Sequence, residues 1–226
     1  MKHVKTTFLV FFVLTTQRAF NQCDSSTVEI VTNYVPFLLD SLIESEGLRN
    51  GSDYNGATLF FPQNAQGNLK SLVLVPGFQS YQNSVKPWAR YLASRGFLCM
   101  TVGTNSIYES PNARANALLD GMESLRQENT RLSSPLYQKI DIQNIALGGW
   151  SMGGGGDQLA SGIDSSINAV FAICPWLNPI TLSPSAINHT SPLLIVSGQF
   201  DLVSPNVQHS DIHYNYTPES TDKLHF

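Results

Sequence analysis

No basic run, no interleaving of aromatic with basic residues and no CxxC pair occurs in these 226 residues, whose formal net charge is -4. The first two absences remove the electrostatic footprint of a nucleic-acid binder. The third leaves a zinc or redox site without support. No internal repeat, low-complexity tract or linker interrupts the chain. One domain is expected, of a size that buries roughly 70% of the surface its unfolded chain exposes. Such a core needs neither a metal nor a disulfide framework. The apolar run Phe8 to Leu14 (FLVFFVL) is far too short to span a bilayer. It follows Lys2 and Lys5 and precedes the polar stretch TTQRAFNQ, the layout of a secretory signal peptide. Export is expected, with cleavage between Ala19 and Cys23 and a mature domain from residue 24 to 226. The residues before Cys23, Phe20-Asn21-Gln22, lack the small side chains of a lipoprotein signal. The other cysteines, Cys99 and Cys174, sit in apolar runs (FLCMTV, AVFAIC) and are expected as buried free thiols.

Strand and helix patterns alternate, which predicts a mainly parallel sheet with helices on its faces. Strands are expected at Ala57 to Phe61, Leu69 to Val75, Phe97 to Val102, Asn144 to Leu147, Ile167 to Cys174 and Leu193 to Ser197. Helical spacing marks Val85 to Ser94 and Asn112 to Gln127, and a short helix is expected over Asp157 to Ser161. Leu224 to Phe226 has the character of the start of a last strand.

The strongest motif is Gly149-Trp150-Ser151-Met152-Gly153, a GxSxG. The apolar run IAL precedes it; a glycine run and a helical segment follow. That is the strand-turn-helix setting of a nucleophile elbow, with Ser151 as nucleophile. The turn is tight and strained, so only small residues fit two positions to either side. It also places Ser151 at a helix N-terminus, where backbone N–H groups favour a developing anion. An oxyanion hole needs two backbone donors. Met152, directly after the nucleophile, supplies one. The turn ending LVLVPGF supplies the other at Phe78. Each such donor is worth roughly 2.7–4 kcal/mol in the transition state. The acid is expected after a later strand. Pro192 to Gly198 (PLLIVSG) is that strand and Asp201 follows it. Asp211 is the runner-up but belongs to no strand end, and Asp164 lies in a turn. Trp150 sits beside the nucleophile and Trp176 just past a strand end, on the face where open α/β sheets bind ligands. Flat apolar rings there suit an aromatic or aliphatic acyl group. Only the fifteen residues Leu177 to Ser191 separate Trp176 from the next strand. They cannot form a lid domain, so the cleft is expected to be open, which suits large or insoluble esters.

The segments GSDYNGATLFFP, LVLVPGFQSYQNSVKPWARYLASRGF, GGWSMGGGG, ICPW and SGQFDLVSP resemble the bacterial cutinase and polyester (PET) hydrolase family, from about Asp53 to Phe226. The run WSMGGGG is far more specific than GxSxG alone. The resemblance implies an α/β-hydrolase fold without a lid domain, and a secreted serine esterase acting on polyesters through an acyl-enzyme. It implies Ser151 as nucleophile, Asp201 as acid, the Phe78 and Met152 amides as oxyanion hole, and Phe78, Trp150 and Trp176 as subsite walls. A monomer is expected, with no cofactor, no metal, no nucleic acid and no membrane span. Many cutinases carry His before the nucleophile; Trp150 stands there, as in the PET-degrading branch. The family's catalytic His lies in a Gly-rich loop just after the strand that follows the acid. Here that strand begins at KLHF and no GGxH-like loop follows. The His is therefore expected beyond Phe226, with His225 as a weak alternative. The fold's closing strand and helix are expected to be missing. His189, His209 and His213 are expected in solvated or structural roles, and His3 in the leader. Losing the His can cost about 10⁶ in kcat, and an open sheet edge favours aggregation, so the chain alone is expected to be poorly soluble and nearly inactive. Two alternatives remain: a lipase or esterase acting on short acylglycerols, and an inactive binding module that keeps the cleft. A dienelactone hydrolase is disfavoured, because that family uses Cys at the elbow.

Overall fold

Short apolar runs bounded by glycine, proline or polar turns set the strands, and the helices between them bury one face each. The structure, a computed structural model, describes residues 36–226 apart from 179–181. The expected leader and Cys23 lie outside the described residues. Eight strands make one sheet: β1 (Leu39–Ile43), β2 (Ala57–Pro62), β3 (Leu69–Val75), β4 (Leu98–Val102), β5 (Ile140–Trp150), β6 (Val170–Ile173), β7 (Leu193–Val196) and β8 (Lys223–His225). Their order is β1-β2-β4-β3-β5-β6-β7-β8. The β1–β2 and β2–β4 pairs are antiparallel and all others parallel. Four α-helices are described: α1 (Lys86–Ala93), α2 (Pro111–Thr130), α3 (Met152–Ile163) and α4 (Ser210–Tyr216).

The core lies on both faces of the sheet, and the pleat of β3 feeds both. Val73 and Val75 join the larger cluster, with Leu118 and Met122 of α2 and Ala160 of α3. Leu72 and Leu74 point the other way, to Ala89 and Ala93 of α1. Alternate residues of a strand face opposite sides, so one apolar run serves two layers. The helix α2 starts where Ser110 Oγ accepts the Ala113 N–H at 3.3 Å, with Pro111 in its first turn.

The strand expected at Leu69 to Val75 forms over those residues, and most other expected elements shift by a few residues at their ends. Two expectations need correction. The elbow helix begins at Met152, not Asp157, so all four glycines of WSMGGGG are helical. Cys99 is a buried free thiol, but Cys174 is only half-buried, because it lies just past the end of β6 at φ 45°. The last strand begins where it was expected: β8 pairs in parallel with β7 over Leu193–Lys223 to Ile195–His225. The antiparallel edge strand β1 was not expected, because only Leu42 of its five residues is buried.

Candidate active site

The strand β5 delivers Ser151 to the sheet's carboxyl-terminal edge at φ 56°, ψ -119°. Side chains rarely adopt this conformation, and it persists only where the surroundings over-determine it. Here backbone does so. Ser151 N–H donates to the Ile173 carbonyl at 2.8 Å. The Ser151 carbonyl accepts from Gly155 N–H at 3.1 Å and Trp176 N–H at 2.9 Å. The glycines are required by space. A Cβ on Gly153 would stand 2.5 Å from the Val75 carbonyl oxygen and 2.7 Å from that of Pro76. One on Gly149 would collide with the Gly153 backbone, and one on Gly155 with the Trp176 carbonyl. Each helical glycine costs up to about 1 kcal/mol relative to alanine, yet only glycine lets α3 lie this close to β3 and to the loop after β6.

The turn after β3 lies directly on Ser151: a Cβ on Gly77 would be 2.9 Å from the Ser151 Cβ. The next residues are fixed from two sides. Gln79 takes the left-handed region at φ 54°, and its N–H donates to the Ile107 carbonyl at 2.8 Å. Arg114 of α2, fully buried, donates from Nη1 to the Pro76 carbonyl at 2.8 Å and from Nη2 to the Ile107 carbonyl at 3.1 Å. Burial lowers its pKa to about 10, so it stays charged at neutral pH. The N–H groups of Phe78 and Met152 have no partner among the described residues. That of Met152 opens α3, where helix donors are unsatisfied. Two free donors therefore flank Ser151.

Rings surround this centre. Phe78 and Trp150 are 43% and 37% exposed. Tyr108 meets Phe78 edge-on with centroids 5.7 Å apart. Tyr108, Met152, Trp176 and Leu177 help line a cleft of about 490 Å³. The Trp176 ring leans on His209, centroids 5.9 Å apart and planes tilted by 31°.

Asp201 follows β7, two strands from β5 in the sheet order. Its Oδ1 accepts the N–H groups of Val203 and Ser204 at 2.8 and 2.9 Å. The Ser204 bond first, then that from Val203, holds its carboxyl below the usual range. Ser204 Oγ donates to the Pro175 carbonyl at 3.0 Å, tying this loop to the one that carries Trp176. The runner-up, Asp211, is 44% exposed on α4 and faces His225, Oδ1 to Nδ1 3.6 Å. Asp164 accepts Ser166 N–H in its turn.

Four histidines are described. His189 Nδ1 lies 3.1 Å from the Ser191 carbonyl. His213 is fully buried, with Nδ1 2.8 Å from Gln158 Nε2, and burial pushes its pKa down to about 3. His209 is 3% exposed behind Trp176; burial lowers its pKa and the Asp201 charge opposes that shift. His209 and His213 are both interior, which fits the structural rather than the solvated of the two roles expected. His225 lies in β8, with Nε2 2.7 Å from Ser197 Oγ. Ser151 is the partner of none of them.

Sequence reasoning missed Arg114 and Tyr108. Arg114 shares the buried stripe of α2 with Leu118, Gly121 and Leu125. A basic residue at that register is the signal that could have found it. Tyr108 stands in a loop and carried no signal. Among the described residues no group of His, Cys, Asp and Glu could hold a metal ion, and no helix is long and apolar enough to cross a membrane.

The PET hydrolase-like family model matches residues 21–225. Cutinase est1 of Thermobifida alba is 31% identical over 189 residues, 82% of this chain and 60% of the relative. Bis(hydroxyethyl) terephthalate hydrolase of Streptomyces coelicolor is 30% identical over 76% of this chain and 53% of its own length. Lipase 1 of a Moraxella species is 30% identical over 74% and 50%. The chain thus spans only half to three-fifths of these relatives. With its elbow, free amides and mostly parallel eight-stranded sheet, it has the α/β-hydrolase fold and belongs to the PET hydrolase-like family.

Proposed function

We propose that this chain carries the nucleophile and acid of a secreted serine esterase that cleaves polyesters, cutin- or PET-like, through an acyl-enzyme. Ser151 Oγ attacks the ester carbonyl as a histidine takes its proton. The carbonyl oxygen becomes an oxyanion, held by the Phe78 and Met152 amides. The histidine returns the proton to the leaving alcohol, and water then repeats the sequence on the acyl-enzyme. Asp201, kept ionised by its two amide bonds, orients and stabilises the histidine. On this reading the base follows β8, beyond Phe226, because the described histidines are engaged or enclosed elsewhere. His225 is the alternative, and Ser197 holds its Nε2. The observation that carries the reading is the strained Ser151 set between two free amides. Exposed Phe78 and Trp150 suit an insoluble substrate, and the leader supports export. A second reading, short acylglycerols, draws on the relative named a lipase.

The test is hydrolysis of p-nitrophenyl esters of increasing chain length and of a polyester film by the protein extended to its natural stop codon, so that it includes the base. Film hydrolysis that disappears in Ser151→Ala is expected. Acylglycerol-length preference without film attack would favour the second reading. Activity that survives in Ser151→Ala would overturn both. A gain of activity in Ser197→Ala would reassign the base to His225.

A further inference from the structure

Beyond Tyr108 lies a second groove of about 700 Å³, inside the size range of small-molecule sites. Asn55, Tyr81, Gln82, Thr104, Asn105 and Tyr108 are among its walls. The ester chemistry proposed for Ser151 makes no use of it. Its backbone is anchored: Gly103 N–H donates to the Gly56 carbonyl and Gln79 N–H to that of Ile107, both at 2.8 Å.

The lining decides the ligand class. No carboxylate and no cationic side chain is among the lining residues, so an ionic ligand would find no countercharge. Tyr81 and Tyr108 are 71% and 63% exposed, two flat apolar faces with polar tips. The lining can both donate and accept: the Asn55 and Asn83 amides and the Tyr81 and Tyr108 hydroxyls stand beside two partly engaged amides. Gln82 Nε2 donates to the Thr101 carbonyl at 2.7 Å and Asn105 Nδ2 to the Ser52 carbonyl at 2.9 Å. Neither amide oxygen accepts a bond from the described residues. A polyester chain offers carbonyl acceptors and no donors, and would leave the Gln82 and Asn105 amide oxygens unmet. A sugar ring offers hydroxyls that donate and accept, and an apolar C–H face for a tyrosine ring.

We infer that this groove is a binding site for a neutral saccharide chain, seated against Tyr81 and Tyr108 beside the ester-cleaving cleft. It would hold the protein on a hydroxyl-bearing polymer while Ser151 works on an adjacent ester. The binding does not depend on the chemistry at Ser151.

The experiment is affinity electrophoresis of the chain in native gels containing a neutral β-glucan, a neutral xylan or polygalacturonate. Retardation by at least one neutral polymer is expected, unchanged in Ser151→Ala. It should weaken at least about ten-fold in Tyr81→Ala, whose exposed ring is not needed by the core. Retardation by polygalacturonate alone, by no neutral polymer, or undiminished in Tyr81→Ala would overturn the inference. Displacement by a soluble terephthalate ester and not by free oligosaccharide would assign the groove to the ester chain and overturn it too.

Discussion

Ser151 and Asp201 stand past the ends of strands two apart in one sheet, yet they are held in opposite ways. The Ser151 elbow is fixed by backbone against backbone, with glycines where any side chain would collide. The Asp201 loop is open: Phe200, Leu202 and Val203 are 85%, 92% and 81% exposed. Two amide bonds to one carboxylate oxygen are what fix Asp201. A strained nucleophile needs a rigid, buried frame that over-determines it. An acid needs only its charge and direction, which two N–H groups supply.

That contrast can be broken at either end. The largest effect should come from the elbow. In the protein extended through its base, Ser151→Ala should remove about 10⁶ of kcat with little change in Tm, since the triad acts as a unit. Gly153→Ala should abolish activity as well, but with a fall in Tm, because its Cβ would meet the Val75 and Pro76 carbonyls; overpacking of this kind costs about 1–3 kcal/mol or more. An unchanged Tm for Gly153→Ala would show that the elbow is looser than described. At the other end, Asp201→Asn should lose roughly 10⁴ in kcat and leave Tm nearly unmoved, as an exposed loop should. Arg114→Met tests the frame around Phe78. It frees the Pro76 carbonyl and leaves that of Ile107 to Gln79 N–H alone, and a misplaced oxyanion donor costs about 10²–10³ in kcat. Loss of stability without a fall in kcat would make Arg114 purely structural.

The smallest effect is a pH slope. His213 faces Gln158 and His209 and is held neutral, with a folded pKa of about 3 against roughly 6.5 when unfolded. The unfolded chain therefore binds the proton first. Stability from this group is full above about pH 6.5 and is lost as pH falls toward 3. Asp201, with its pKa depressed, adds a loss only at lower pH, below the usual carboxylate range. His213→Phe should flatten the fall in Tm between pH 6.5 and 4, read by thermal melts across that range.

The parts that were legible in sequence are those written in local pattern. Leu69 to Val75 forms the strand its apolar run indicates, and the glycines around Ser151 mark a turn that admits nothing larger. The start of α3 was not legible, because glycine's poor helix propensity points away from a helix that tertiary packing imposes. Arg114 was hidden for a related reason: its role comes from loops 38 and 7 residues away that only the fold brings to it. Whether His209 and His213 are solvated or structural was not legible: His213 lies on a helix of seven residues, too short for its periodicity to show which face is buried, and His209 just before it.

The central claim is that Ser151 alone among the serines is activated. Labelling the protein, extended through its base, with a fluorophosphonate, followed by peptide mapping, tests it most directly. The adduct should fall on Ser151 and vanish in Ser151→Ala. An adduct on Ser197, which is bonded to His225, or one that persists in Ser151→Ala, would contradict the account.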